Sequence, residues 1–132
     1  MGQITQLQVI SPLQNSLGQT LFFDAALGSG GSVDGIKSSP GTLYSVSADN
    51  SLNSSASYIR LWDLASNSVT NGATSPDWIL EVLPNVSNTF YFSGGQSGTI
   101  FGTALSASAS SSPGTTGTGA PANSMKVTIC YS

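Results

Sequence analysis

From residue 42 onward, apolar and polar residues alternate with a period of two, and no helical period persists for a useful length. Tyr44, Val46 and Ala48 alternate with Ser45, Ser47 and Asp49. In Tyr58-Ile-Arg-Leu-Trp-Asp-Leu64, Ile59 and Leu61 share one face while Tyr58, Arg60, Trp62 and Leu64 share the other. Trp78, Leu80 and Val82 alternate with Asp77, Ile79 and Glu81, and Phe90 and Phe92 oppose Tyr91. A single strand is predicted over Thr99–Ala107, with Phe101, Leu105 and Ala107 on one side. The closing run sets Met125, Val127, Ile129 and Tyr131 against Lys126, Thr128 and Cys130. Pro76, Pro84-Asn85, Gly94-Gly95 and Gly98 punctuate these runs, and Ser108–Ala122 is a Ser/Thr/Gly/Pro stretch with no packing pattern of its own. Short strands at this spacing predict an all-β fold, an antiparallel β-sandwich of immunoglobulin-like or jelly-roll type.

The first forty residues are patterned less tightly. Ile4-Thr-Gln-Leu-Gln-Val-Ile10 is a mixed segment ended by Pro12, and Leu17–Phe23 alternates imperfectly. Gly28-Ser-Gly-Gly-Ser32, Asp34-Gly35 and Ser38-Ser-Pro-Gly41 then mark turns. Residues 1–41 are therefore expected to be an extended N-terminal arm or edge hairpin with a linker, and residues 42–132 the sandwich core. Residues 1–23 are expected to pair with or wrap a neighbour, with Ile4, Leu7, Val9 and Phe22 among the contact residues.

Composition narrows the class. Only 7% of the 132 residues are charged, against roughly 25% in ordinary soluble domains. Ser and Thr, 37 residues, supply the polar surface. Such a neutral, hydroxylated surface suits a chain packed in an assembly or facing the outside medium. Three basic residues exclude a nucleic-acid footprint and a polybasic membrane patch. No apolar run approaches the roughly 18 residues of a membrane-spanning helix, and the N-terminal residues lack a secretory pattern, so synthesis and retention in a cytosol are expected.

Candidate chemistry is thin. Cys130 has no partner cysteine, and with no histidine in the chain it lacks a base to activate it. The carboxylates lack calcium-loop spacing. Asp63 and Asp77 bracket a hairpin-like loop and could approach each other as a glycosidase pair would, but turn capping is the simpler reading. Asn53-Ser-Ser and Asn85-Val-Ser are glycosylation sequons. Trp62 and Trp78 could stack on a sugar; Trp78 lies on a core face, while Trp62 lies beside Tyr58 and Arg60. A guanidinium between two aromatic rings is poorly placed on a solvated sheet, so this face should be covered by another part of the chain or by another chain. Tyr58, Arg60 and Trp62 are accordingly expected at a subunit contact. No enzyme activity and no cofactor are expected.

The runs Leu43-Tyr-Ser-Val-Ser-Ala-Asp-Asn50, Ser57-Tyr-Ile-Arg-Leu-Trp-Asp63, Ser75-Pro-Asp-Trp-Ile-Leu-Glu-Val-Leu-Pro84, Gly98-Thr-Ile-Phe-Gly-Thr-Ala-Leu-Ser-Ala107 and Val127-Thr-Ile-Cys-Tyr131 resemble small virion proteins of tailed bacteriophages. The resemblance covers residues 42–132. It implies a virion structural role, as a capsid decoration or cement protein on the outer head surface, partnered by the major capsid protein. It implies no catalytic residues, and with capsid three-fold geometry it favours a homotrimer. The alternative is a tail- or fibre-associated carbohydrate-binding or adhesion module using exposed aromatics such as Trp62 and Tyr91.

Overall fold

The computed structural model describes residues 18–92 and 97–132. Among these residues nine strands are formed: β1 (Thr20–Asp24), β2 (Asp34–Lys37), β3 (Gly41–Asp49), β4 (Ser57–Trp62), β5 (Trp78–Val82), β6 (Ser87–Tyr91), β7 (Thr99–Phe101), β8 (Leu105–Ser110) and β9 (Lys126–Tyr131). Sheet I has the order β1-β9-β3-β6, with β7 pairing the start of β3; sheet II has the order β2-β8-β4-β5. Every pairing is antiparallel. Leaving β7 aside, the eight strands wrap as two interlocked Greek keys. Of the two expected sandwich types, this is the jelly roll.

Alternation places the core between the sheets. Val46 and Ala48 of β3, Ile59 and Leu61 of β4, Val82 of β5 and Val127 and Ile129 of β9 are buried, joined by Leu43, Leu105, Phe101 and Met125. Trp78, Leu80, Phe90 and Phe92 pack against this cluster from its edge, and the rings of Trp78 and Phe92 meet edge-on with centroids 6.2 Å apart.

Three expectations are corrected. First, residues 18–41 are not an arm outside the sandwich. β1 pairs with β9 in sheet I, Phe22 lies opposite Ile129 and packs on the core, and β2 pairs with β8 in sheet II. Leu27 and Ile36 are buried as well. Second, Thr99–Ala107 is two strands in different sheets, because the chain crosses at Gly102-Thr103. β8 then continues to Ser110, into the low-complexity stretch. Third, the register of β3 on β9 shifts between Leu43 and Ser45. This bulge buries Leu43 and turns Tyr44 out of the core, where its hydroxyl pairs with Ser132 Oγ at 3.1 Å. Ile4, Leu7 and Val9 lie outside the described residues.

Candidate functional site

Of the site residues read from the sequence, Tyr58, Arg60 and Trp62 are on the outer face of sheet II, and the chain itself covers Arg60 and Trp62. Opposite Tyr58, Arg60 and Trp62 on β4 lie Ser110, Ser108 and Ser106 of β8. These small side chains leave room for the two long loops that leave sheet II, 63–77 and 111–125, to lie down on the sheet. Arg60 is fully buried and holds them there. Its Nη1 donates to Asn71 Oδ1 (2.9 Å) and Gly117 O (2.8 Å), and its Nη2 to Ser112 O (3.2 Å) and Thr116 O (2.9 Å). Asn71 Nδ2 extends this to Gly31 O at 2.9 Å. Loop oxygens thus take four hydrogen bonds from the two terminal nitrogens of this planar, five-donor cation, and its Nε is left without a hydrogen-bond partner. Burial lowers the Arg60 pKa, though a guanidinium stays charged.

Trp62 is equally buried, and its Nε1 donates to Thr74 O at 3.0 Å. Ser106 Oγ donates to Leu64 O and Ser108 Oγ to Ser32 O. Tyr58 is half-buried, its hydroxyl 3.5 Å from Glu81 Oε2. Arg60 and Trp62 therefore cannot form the expected subunit contact, nor can Trp62 form a sugar platform. Phe22 is likewise assigned to the core rather than to an interface.

The paired carboxylates are also structural. Asp77 Oδ2 accepts the Asp63 backbone N–H at 2.7 Å. Asp63 in turn accepts from Gly102 N (2.7 Å), Thr103 N (2.7 Å) and Ala104 N (3.2 Å), pinning the crossover from β7 to β8. Desolvation pushes the Asp63 pKa up, but these three N–H groups together outweigh it and hold the carboxyl below its ordinary value. A carboxylate so engaged is a poor proton donor. Asn53, the first sequon residue, is buried, bonded to Asn50 and to the Asn123 backbone.

What the described residues leave open is the outer face of sheet I. Its cross-strand rows are Leu21, Cys130, Ser45 and Tyr91, then Phe23, Thr128, Ser47 and Thr89, then Lys126, Asp49 and Ser87. The two central strands present small hydroxyl or thiol side chains and, at one end, the Lys126–Asp49 pair, and Phe23, Tyr91 and Ile100 on the flanking strands raise apolar walls. Phe23 is 58% exposed, Tyr91 71% and Ile100 76%. Ser47, Asp49, Ser87, Thr89, Lys126 and Thr128 border a shallow groove of about 280 Å³. Cys130 is half-buried on this face, where burial raises its thiol pKa.

A second apolar feature caps the end of the sandwich beyond Asp49. Buried Asn50 donates to Ser55 O, Val82 O and Leu83 O and accepts from Asn53 Nδ2 and Ser57 Oγ. Asn50 N also donates to Val86 O, and Asn85 N to Asn53 O. This hub rigidly presents three aliphatic side chains to solvent: Leu52, Leu83 and Val86. An alternation pattern does not reveal it, because the three residues lie in turns; the polar Asn50 ending an otherwise regular strand was its only trace in sequence.

Compared with protein-family models, with curated proteins and with solved structures, the chain matches none.

Proposed function

We propose that this chain is a structural protein of a tailed-phage particle, a capsid decoration or cement protein that stabilises the head by bridging neighbouring capsid subunits. The observation that carries the reading is the contrast in surface finish. One sheet face is sealed by the chain's own loops, while the other is covered by none of the described residues, carries the single Lys126–Asp49 charge pair and is walled by Phe23, Tyr91 and Ile100. Large exposed side chains of this kind mark contact surfaces. The resemblance of residues 42–132 to small virion proteins points the same way, as does the recurrence of jelly rolls in capsids, which by itself is analogy at the level of fold. The bridging partner would be the major capsid protein on the outer head surface, and no catalysis or cofactor enters the role. Imaging of purified particles tests this. Density for the jelly roll on the head, at a copy number comparable with the major capsid protein, is expected. A handful of copies at the tail would overturn it.

One observation favours adhesion to glycans as a second reading: Tyr91 stands on the same face of β6 as Thr89 and Ser87 at the hydroxyl-bordered groove. Tyr91 then replaces Trp62 as the sugar-stacking residue. A glycan panel against the wild type and Tyr91→Ala separates the readings, with no binding expected under the decoration role.

A further inference from the structure

We infer that the outer face of sheet I pairs with the same face of a second copy of this chain, about a two-fold axis that runs parallel to the strands between β9 and β3.

The registers make the face self-complementary about that axis. Such a rotation preserves position along the strands and exchanges left and right. It lays β9 over β3 of the second copy and β1 over β6 of the second copy. Lys126 and Asp49, register partners within one chain, then face Asp49 and Lys126 of the second copy. Leu21 on β1 meets Tyr91 of the second copy, since both belong to the Cys130–Ser45 row. In the next row Phe23 meets Thr89 of the second copy. In the centre, small residues meet small ones: Cys130 against Ser45 and Thr128 against Ser47. Two sheets close to about 10 Å when such small side chains interdigitate.

The charges choose this axis over its alternative. A two-fold axis perpendicular to the strands would lay the Lys126–Asp49 row over the Thr42–Ile100 end of the second copy. That would desolvate the two charges against an apolar side chain with no counter-charge from the second copy. The parallel axis pairs both charges twice, as an isologous contact requires.

The size also fits a second copy. Four strands at about 4.8 Å spacing and five residues at about 3.4 Å each give a patch of roughly 19 by 17 Å before side-chain relief. That is about 320 Å² in projection, and side-chain relief raises it toward, without reaching, the roughly 600 Å² per partner of the smaller specific interfaces, so the contact is a weak one. A concentration-dependent dimer follows.

The pairing does not depend on the particle assignment, but it would serve it. Leu52, Leu83 and Val86 lie beyond Asp49 and before Ser87, at the end of sheet I that the rotation leaves in place. Both copies therefore present their aliphatic ends in the same direction, as a bridge between two neighbouring sites needs.

The test uses the full chain in solution, so its failure is separable from the failure of particle imaging. Sedimentation equilibrium of the wild type should give a monomer–dimer equilibrium. Lys126→Glu sets a carboxylate against Asp49 of the second copy at both contacts and should weaken association at least tenfold; Asp49→Lys should do the same with paired ammonium groups. Mixing the two variants should restore the wild-type dimer, because each mismatch is then cured by the other chain. Asp49 also accepts from Ser51 N and Ser87 Oγ, so Asp49→Lys can fail through misfolding alone. In that event Tyr91→Ser, which removes a ring 71% exposed, takes over and should weaken association at least tenfold with an unchanged melting temperature. Alkylation of Cys130 by a maleimide should slow as the wild-type concentration rises, because pairing buries the thiol, and should stay independent of concentration in Lys126→Glu. A wild type that stays monomeric at high concentration, a trimer, or a dimer indifferent to both Lys126→Glu and Tyr91→Ser would overturn the inference.

Discussion

The outer faces of the two sheets are built from similar side chains, yet among the described residues one is buried and the other bare. Sheet II sets Ser106, Ser108 and Ser110 beside Arg60 and Trp62, and all five are buried. Sheet I sets Ser45, Ser47 and Thr128 between Phe23 and Tyr91, and the two rings stand in solvent. The difference lies in the connections. Both long loops of the described chain start from sheet II strands, and they bring backbone carbonyls that need donors. Arg60 supplies four hydrogen bonds from one rigid plane, and Trp62 supplies a fifth. Sheet I offers no such donor, and no described loop crosses it. An aromatic or basic residue on an outward strand position therefore marks a need for cover without saying whether that cover comes from within.

If the covered face is part of the fold and the bare face serves association, substitutions on each should move different observables. The largest effect is expected at Arg60. Arg60→Ala strands three loop carbonyls and the Asn71 amide oxygen, and should cost about 3–5 kcal/mol, read as a lower denaturant midpoint with early proteolysis within 111–122. Arg60→Lys should recover only part of this, because an ammonium lacks the planar fork. A loss below about 1 kcal/mol on Arg60→Ala would show that the loops hold themselves.

Next comes Asn50→Ala, which leaves three carbonyls short of a donor and should cost about 2–4 kcal/mol in the same measurement. Asn50→Asp keeps the shape and the acceptor oxygen for Asn53 and Ser57 but loses the amide donor, so it should remain well below wild type.

Acid should reveal two smaller terms of opposite sign. Asp63 has a lowered folded pKa, so its contribution is present above the ordinary carboxylate value near 3.8 and is lost as pH falls through the folded value. Asp34 behaves in reverse. Its carboxyl hydrogen-bonds the Asp24 carboxyl, and with desolvation this raises its pKa to about 6. A raised carboxyl pKa stabilises below the unfolded value and loses that contribution as pH rises through about 6. Asp24 itself is lowered, so its share is lost in acid. Thermal stability should therefore rise from pH 7 to pH 5, by about 1 kcal/mol after solvent screening, and decline at still lower pH. Asp34→Asn should abolish the rise; a flat wild-type profile between pH 5 and 7 would refute the shared proton.

The smallest stability effect is expected on the bare face. Tyr91→Ser should change stability by no more than about 0.5 kcal/mol, as exposed substitutions usually do, while weakening association at least tenfold; Ile100→Ser should leave stability equally unchanged. A large destabilisation by either would mean that sheet I is not a free surface.

Much of the fold was legible because period-two patterns record burial directly. The inward sets Ile59–Leu61, Trp78–Leu80–Val82, Phe90–Phe92 and Val127–Ile129 all point as their alternation requires. Alternation also separated Arg60 and Trp62 from the core face of β4. It could not reveal the bulge at Tyr44, since one extra residue shifts the phase without altering composition. Nor could it detect the crossing at Gly102-Thr103, where the phase continues while the partner sheet changes.

By itself, then, the sequence determined which residues turn inward, that the fold is an antiparallel sandwich, and that the Arg60 face needed cover. Only the tertiary structure decided that the connectivity is a jelly roll, that β1 and β2 belong to it, and that the chain's own loops supply the cover. Those outcomes depend on contacts between residues such as Arg60 and Gly117, or Asp63 and Thr103, far apart along the chain. Local patterning records the side chain's need for a partner, whereas the partner's identity is fixed only when the sheets pack and the loops find the donors left facing them.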